Sequence, residues 1–467
     1  MPDFKMIVDK LTGTNININA AVIAVLLLVG VSKAEYDLYC IGSSYIIDHR
    51  YIQSMAESAG IALKAGRSEI YGNMRNIRVL AGRKPMDSAN PLYELPTGTA
   101  DVLAMTATRP WLYTEFEAEA CMHFGELLLE HNPDARIFIH DYWTVLPPGR
   151  SLYRELHGWD NVRAMRLGSI KIINLMANEL GHKVYDVPVG VAVQVMREKI
   201  AAGQLEGYKN PDDLMSDSIH LSEMGRYIQA CLTFCGAYRY DVRKLPGDVI
   251  GGRGRSRLKF SPHDAKIIHQ TVYETVRNTP YSGWYKDEPD GVNAYLAHLK
   301  AGLKNFESFD KMYPAGGTGT FTGDNGILWN YTNVDSSKDE ETMTDAFIIM
   351  RQDSSLWAKI PGGIGELHFA IDEDAEIEVT VDGKSMGTFK PARRGGWNNH
   401  YFKVEDLDIT KDVTVEFTCR SKRAVMDNIW WTAPITVSKL ELGNCHCEER
   451  SDEAISTVGL HMDYVKD

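Results

Sequence analysis

The chain has 467 residues, 44% of them hydrophobic and 24% charged, with a formal net charge of −13. That length leaves room for two or three domains, each with a sizeable core. The acidic balance excludes sequence-independent nucleic-acid binding, which needs clustered Lys and Arg, and the lack of low-complexity runs or heptads excludes disordered, collagen-like and coiled-coil classes.

Ala20–Val31 is the one long uncharged apolar run. As a helix it would rise roughly 18 Å, short of a roughly 30 Å bilayer core. Lys5 and Lys10 precede it and Ser32-Lys33-Ala34 follow, an order that reads as a secretory signal peptide over residues 1–34. The competing reading is a buried element of the first domain, because Asp3 and Asp9 interrupt the basic leader. A signal peptide predicts export to the periplasm, cell surface or extracellular space, with no stable membrane span after cleavage.

From Glu35 to Trp284, short apolar runs alternate with longer amphipathic stretches. Tyr36–Ile41, Asp101–Thr106, Arg136–Asp141 and Lys183–Val187 read as strands. Helical spacing covers Asp48–Gly60, Glu115–Glu130, Val162–Leu180 and Val191–Ala202 between them. Such alternation implies right-handed crossovers and a parallel sheet covered on both faces, with sites at the carboxyl ends of the strands. Residues 285–304 read as a connector, and 305–435 as short alternating strands with turn punctuation, a β-sandwich pattern in which Asp382-Gly383 marks a hairpin. Residues 436–467 change composition again and read as a disordered tail, so Cys445, His446 and Cys447 are not a metal site. Cys231 and Cys235 lie one helical turn apart without a CxxC or HxxxH partner and read as core cysteines.

Chemistry first appears in Ile41-Gly42-Ser43-Ser44-Tyr45, which closes the first strand. Gly42 permits a sharp turn and brings the Ser44 N–H toward a bound oxyanion. Alone, Gly-x-Ser is a very weak signal, and a plain turn is the better reading. The second piece is Asp217-Ser218-Ile219-His220-Leu221-Ser222, ahead of an amphipathic helix. An Asp three residues before a His can bond one imidazole nitrogen and leave the other as a general base. The alternative is an Asp that caps the helix, with the His incidental.

GxS after the first strand and DxxH before the last helix together resemble the SGNH (GDSL-type) hydrolase family, over about Glu35–Trp284. The resemblance implies a three-layer α/β/α flavodoxin-like domain with a parallel sheet, followed here by the β-sandwich. It implies Ser44 as nucleophile, His220 as general base and acid, and Asp217 as its orienting carboxylate. The GxSxG elbow of α/β-hydrolases is absent, because Ile46 follows Tyr45. For the family's oxyanion glycine the candidate is Gly72, with Gly66 as runner-up. The chain departs from the family at GxND: after the third strand it carries Met105-Thr106-Ala107-Thr108-Arg109-Pro110, so Thr106 or Thr108 is the candidate substitute donor. Asp141 and Trp111 are candidate pocket residues, Asp141 alternatively a loop cap, while His140 and His123 read as structural.

The resulting expectation is an exported serine esterase that acts on a small-molecule or polysaccharide acyl ester, acetyl among the candidates, with neither metal nor cofactor. The alternative is a catalytically weak SGNH scaffold that binds glycans or serves at the surface. Trp329, Trp357, Trp397, Trp430 and Trp431 invite sugar stacking, although alternate tryptophans also fill sandwich cores. Trp430 and Trp431 are neighbours on a strand and must point to opposite faces, which leaves one of them available to solvent.

Overall fold

In the computed structural model, the described residues are 36–42, 49–70, 100–106, 114–143, 158–217, 220–250, 257–307, 309, 316–323, 325–337, 347–372, 374–391, 400–405 and 407–434. They form an α/β domain followed by a β-rich domain.

The α/β domain is built on β1 (Tyr36–Gly42), β2 (Leu63–Ile70), β3 (Val102–Thr106), β4 (Arg136–His140) and β5 (Val184–Val187). These five strands pair in parallel in the order β2-β1-β3-β4-β5. Strands β3 to β5 are apolar runs buried on both faces, as parallel strands under helices must be. The four expected strands are all present. The fifth, β2, reads LKAGRSEI and has only β1 as a neighbour, and an edge strand of that composition carries little apolar signal.

Among the described residues seven helices accompany the sheet: α1 (His49–Ala59), α2 (Thr114–Leu129), α3 (Gly158–Leu180), α4 (Val189–Ala201), α5 (Glu223–Tyr238), α6 (Pro262–Asn278) and α7 (Gly291–Gly302). The expected connector contains α7, which is part of this domain. Its Tyr295 and Leu299 are fully buried in the α/β core, and the Tyr295 hydroxyl donates to the Val184 carbonyl. Cys231 and Cys235 are buried on α5, and burial pushes the Cys235 thiol up to about 12. No helix among the described residues is long and apolar enough to cross a membrane. The apolar run Ala20–Val31 lies outside those residues.

Strands β6 (Asp248–Ile250) and β7 (Arg257–Lys259) form a separate antiparallel pair. In the β-rich domain, β8 (Phe306–Glu307), β9 (Thr318–Thr322), β10 (Leu328–Ser337), β11 (Phe347–Ile360), β12 (Leu367–Ile371), β13 (Ile377–Val381), β14 (Lys384–Phe389), β15 (His400–Val404), β16 (Val413–Cys419) and β17 (Arg423–Trp431) form one ten-stranded antiparallel system among the described residues. The β13–β14 hairpin turns at Asp382 and Gly383, both with positive φ (48° and 78°), the geometry a two-residue hairpin prefers. Strand β11 serves both halves of the sheet: Ile348–Arg351 pair with β17, and Ser355–Ile360 pair with β16. Phe369 on β12 meets Phe417 on β16 at a centroid separation of 5.4 Å, so the halves pack face to face over a common core.

Period-two alternation then decides what each half presents outward. On β12, β15 and β17, Leu367, Phe369, Val404, Ile429 and Trp431 enter the β core. Their neighbours Ala370, Tyr401 and Trp430 belong to the core of the α/β domain. Trp430 and Trp431 do point to opposite faces, but both are buried (4% and 5% exposed), because the outward one is covered by the other domain. His368 stacks on Trp430 at 3.5 Å with an interplanar angle of 7°. Lys403 completes the contact, 3.3 Å from Asp160 in the first turn of α3 and 3.0 Å from Glu366.

Candidate active site

The strand order β2-β1-β3-β4-β5 reverses direction between β1 and β3, and ligands of open α/β sheets bind outside the carboxyl ends at that switch point. Gly42 ends β1 and Thr106 ends β3. The two meet closely: a Cβ on Gly42 would lie 2.9 Å from the Thr106 Cβ, so only glycine fits without displacing that side chain. Thr106 is 1% exposed, and its hydroxyl has no hydrogen-bond partner among the described residues. Ser44, Gly72, Thr108 and Trp111 lie outside the described residues, Ser44 between Gly42 and the start of α1 at His49.

Helix α5 is fixed at both ends. At its carboxyl end Arg136, the first residue of β4, donates to the carbonyls of Gly236 and Ala237, a cation on the negative pole of the helix. That contact is at the amino edge of the sheet, so α5 runs against the strands and its first turn lies at the carboxyl edge. In its middle, Gln229 and Thr233 bond both ring nitrogens of His140, the last residue of β4, at 2.9 and 3.4 Å. His140 is buried, which holds its imidazole down to about 3 and therefore neutral, in keeping with a structural role. At the amino end, Tyr51 in the first turn of α1 donates to Glu223, the first residue of α5. The helix that follows the Ser44 segment is thereby joined to the helix that follows His220.

The segment ahead of α5 closes on itself. Met215 and Leu221 form an antiparallel bridge, the Ser216 N–H donates to the His220 carbonyl at 2.8 Å, and the Ser222 N–H donates to the Leu214 carbonyl at 2.9 Å. Gly225 lets this loop sit on the helix, since a Cβ there would lie 2.6 Å from the Leu214 oxygen. Within the loop Asp217 Oδ1 accepts the His220 N–H at 2.8 Å, and Oδ2 lies 2.7 Å from Nδ1. A carboxylate only accepts, so Nδ1 carries the proton and Nε2 the lone pair of the neutral ring. The helix cap is Ser222, whose Oγ accepts from the Gly225 N–H at 3.3 Å, so Asp217 does not serve as the cap. The side chains of His220 and Asp217 are 26% and 53% exposed.

Asp141 has a different environment. It is fully buried, and its Oδ1 accepts the Gly190 N–H at the start of α4 at 2.8 Å. Burial and the nearby Asp186 carboxylate hold it well above the usual carboxylate range. This bond ties the end of β4 to the start of α4. Asp186 itself is pushed up to about 6 by burial, against the opposing pull of Arg166 at 3.2 Å.

The sequence reading missed the Tyr51–Glu223 bond and the cluster of Asp160, Glu366 and His368. The ligand atoms of that cluster lie within 4.8 Å of one another. The Lys403 ammonium stands between its two carboxylates, and Arg163 is 4.0 Å from Glu366, so cations of the chain itself already fill a metal's electrostatic role. Glu366 and His368 are two residues apart, but Asp160 lies 206 residues before Glu366, and no local pattern joins it to them.

No protein-family model matches the chain, and no curated protein matches it. Among solved structures it is similar to a DUF4886 family protein from Bacteroides uniformis, at 18% identity and a TM-score of 0.37, covering 52% of this chain and 95% of that one. A two-domain esterase active on acetylated mannans is similar at 10% identity and a TM-score of 0.27, covering 87% and 94%. A family 6 carbohydrate-binding module is similar at 13% identity and a TM-score of 0.19, covering 27% and 92%.

Proposed function

We propose that the chain is an exported serine esterase of the SGNH type with a β-sandwich accessory domain, hydrolysing acyl esters, acetyl esters of glycans among them. The observation that carries this reading is the Asp217–His220 pair. It stands just ahead of α5 at the carboxyl edge of the sheet, and α5 is bonded through Glu223 to the helix that follows Ser44. Ser44 Oγ attacks the ester carbonyl carbon while His220 Nε2 takes the hydroxyl proton, and the imidazolium is stabilised by Asp217. The tetrahedral oxyanion is held by the N–H groups of Ser44 and Gly72, with Thr106 or Thr108 in the place of the family's asparagine. Protonation of the leaving alkoxide by His220 frees the alcohol. Water, deprotonated by the same nitrogen, then releases the acid from the acyl-enzyme.

Hydrolysis of a short acyl ester tests this. Ser44→Ala and His220→Ala are expected to lower kcat/KM by about 10⁴ or more, and Asp217→Asn by about 10⁴. Equal rates in wild type and Ser44→Ala would falsify the reading. Thr106→Val removes one hydroxyl at constant shape and separates donor from filler: loss of an oxyanion donor lowers kcat by about 10²–10³, whereas pure packing leaves it unchanged. A second reading, a weakly catalytic scaffold that binds glycans, is favoured by the missing GxND asparagine, and a negligible wild-type rate with intact folding would establish it.

A further inference from the structure

Among the described residues, none of the α/β domain packs on the outward face of the other half of the β domain. Its side chains follow from register. One row crosses the strands as Thr320, Asn330, Trp357, Glu416, Thr380 and Ser385, which are successive Cα partners from β9 to β14. At about 4.8 Å per strand such a row spans roughly 24 Å. The adjacent row carries Thr332, Ser355 and Thr418. At the centre is a shallow open trough of ≈ 270 Å³ lined by Thr332, Asp353, Ser355, Trp357 and Glu416.

Two backbone irregularities shape this trough. The register of β10 slips between Thr332 and Val334, with Asn333 at φ 54°, and β11 bends at Asp353, φ 63°. Bulges and left-handed non-glycine residues re-aim side chains and gather at binding sites. Here Trp357 is only partly buried, whereas Trp329, Trp430 and Trp431 are buried. Arg420 pairs with both Asp353 and Glu378, while no cation pairs with Glu416 among the described residues. The trough is thus negative, with one aromatic floor and hydroxyl and carboxylate walls.

We infer that this face binds a neutral polysaccharide chain, with one sugar ring laid on Trp357. A pyranose ring offers an apolar C–H face to the indole and hydroxyls at its rim, and the hydroxyls match Thr332, Ser355 and Glu416 as donors and acceptors. The negative charge disfavours anionic polymers and nucleic acid. A protein partner needs about 800 Å² with an apolar centre, and Trp357 and Leu328 amid threonines, serines and charges do not provide one. The inference stands on the β domain alone and does not depend on the esterase reading.

Affinity electrophoresis of the full chain through gels containing mannan, xylan or a neutral β-glucan tests it. At least one of these is expected to retard the wild type. Trp357→Ala should weaken that retardation at least tenfold, Trp357→Phe should restore part of it, and Glu416→Gln should weaken it severalfold. Ser355→Arg, which fills the trough from two residues along the same strand face, provides a second disabling change should Trp357→Ala not fold. Ser44→Ala retains full retardation, so this inference and the esterase reading fail separately. Retardation by none of the neutral polymers, or only by an anionic one, overturns the proposal. So does wild-type retardation of a folded Trp357→Ala or Ser355→Arg protein.

Discussion

The two outward faces of the β domain are made by the same alternation and have opposite fates. On β12, β15 and β17 the outward residues are His368, Ala370, Tyr401, Lys403 and Trp430, all drawn into contact with the α/β domain. On β10, β11 and β16 they are Asn330, Thr332, Ser355, Trp357 and Glu416, and they face the trough or solvent. A tryptophan stands on each face. Trp430 is buried by a neighbouring domain, so its area contributes to folding. Trp357 keeps part of its ring exposed, and that area is available to a ligand. Burial on one side of a strand says nothing of the other, which depends on what arrives there.

The largest expected effect separates these faces by stability. Trp430→Ala removes a fully packed indole together with the His368 stack and is expected to cost about 3–5 kcal/mol, read from chemical unfolding. If the β domain then unfolds before the α/β domain, the dock is what couples them. A midpoint unchanged from wild type would show that Trp430 is not holding the faces together. Lys403→Ala leaves Glu366 and Asp160 facing each other without their ammonium. Since all three side chains are partly exposed, the expected loss is about 1–2 kcal/mol, shrinking in high salt. Trp357→Ala on the undocked face should cost only about 1 kcal/mol or less, and a loss as large as that of Trp430→Ala would mean that this face is covered too.

Acid sharpens the same contrast by its order of events. Burial depresses His140 from 6.5 to about 3 in the folded chain, so its contribution is complete above pH 6.5 and is lost as pH falls toward 3. Glu366 is depressed from 4.5 to about 2 by the His368 hydrogen bond and by Lys403, so the dock's contribution is complete above pH 4.5 and is lost toward 2. On acidification the His140 contribution is therefore lost first and the Glu366 contribution second, while Asp141 and Asp186, whose carboxyls are raised by burial, offset part of the first loss. In thermal melts across pH, His140→Gln should remove the decline that His140 contributes between pH 6.5 and 4.5 while leaving the fall due to Glu366 below it. An unchanged slope in the upper window would assign that decline to other groups.

How much of this was legible depended on sequence separation. Asp217 and His220 are three residues apart, and a carboxylate at that distance reaches the imidazole within one turn of chain, so their bond could be read directly. The Asp382-Gly383 hairpin is equally local. Tyr51 and Glu223 are 172 residues apart, and their bond follows from two helices lying side by side on one face of the sheet. Strand β2 escaped notice because an edge position does not demand apolar residues. The position of Asp141 at a strand end is legible in sequence, but its bond to the Gly190 N–H, 49 residues on, is not.

Amino-acid order alone determined the alternation of strands and helices, the opposite headings of Trp430 and Trp431, and the pairing of Asp217 with His220. Each rests on backbone periodicity or on a reach of a few residues. Tertiary structure decided which outward face would be covered, that Gly42 must lie against Thr106, and that Asp160 and Lys403 would meet across 243 residues. Those outcomes depend on where whole elements pack, and packing sums many weak contacts that no short stretch of sequence contains.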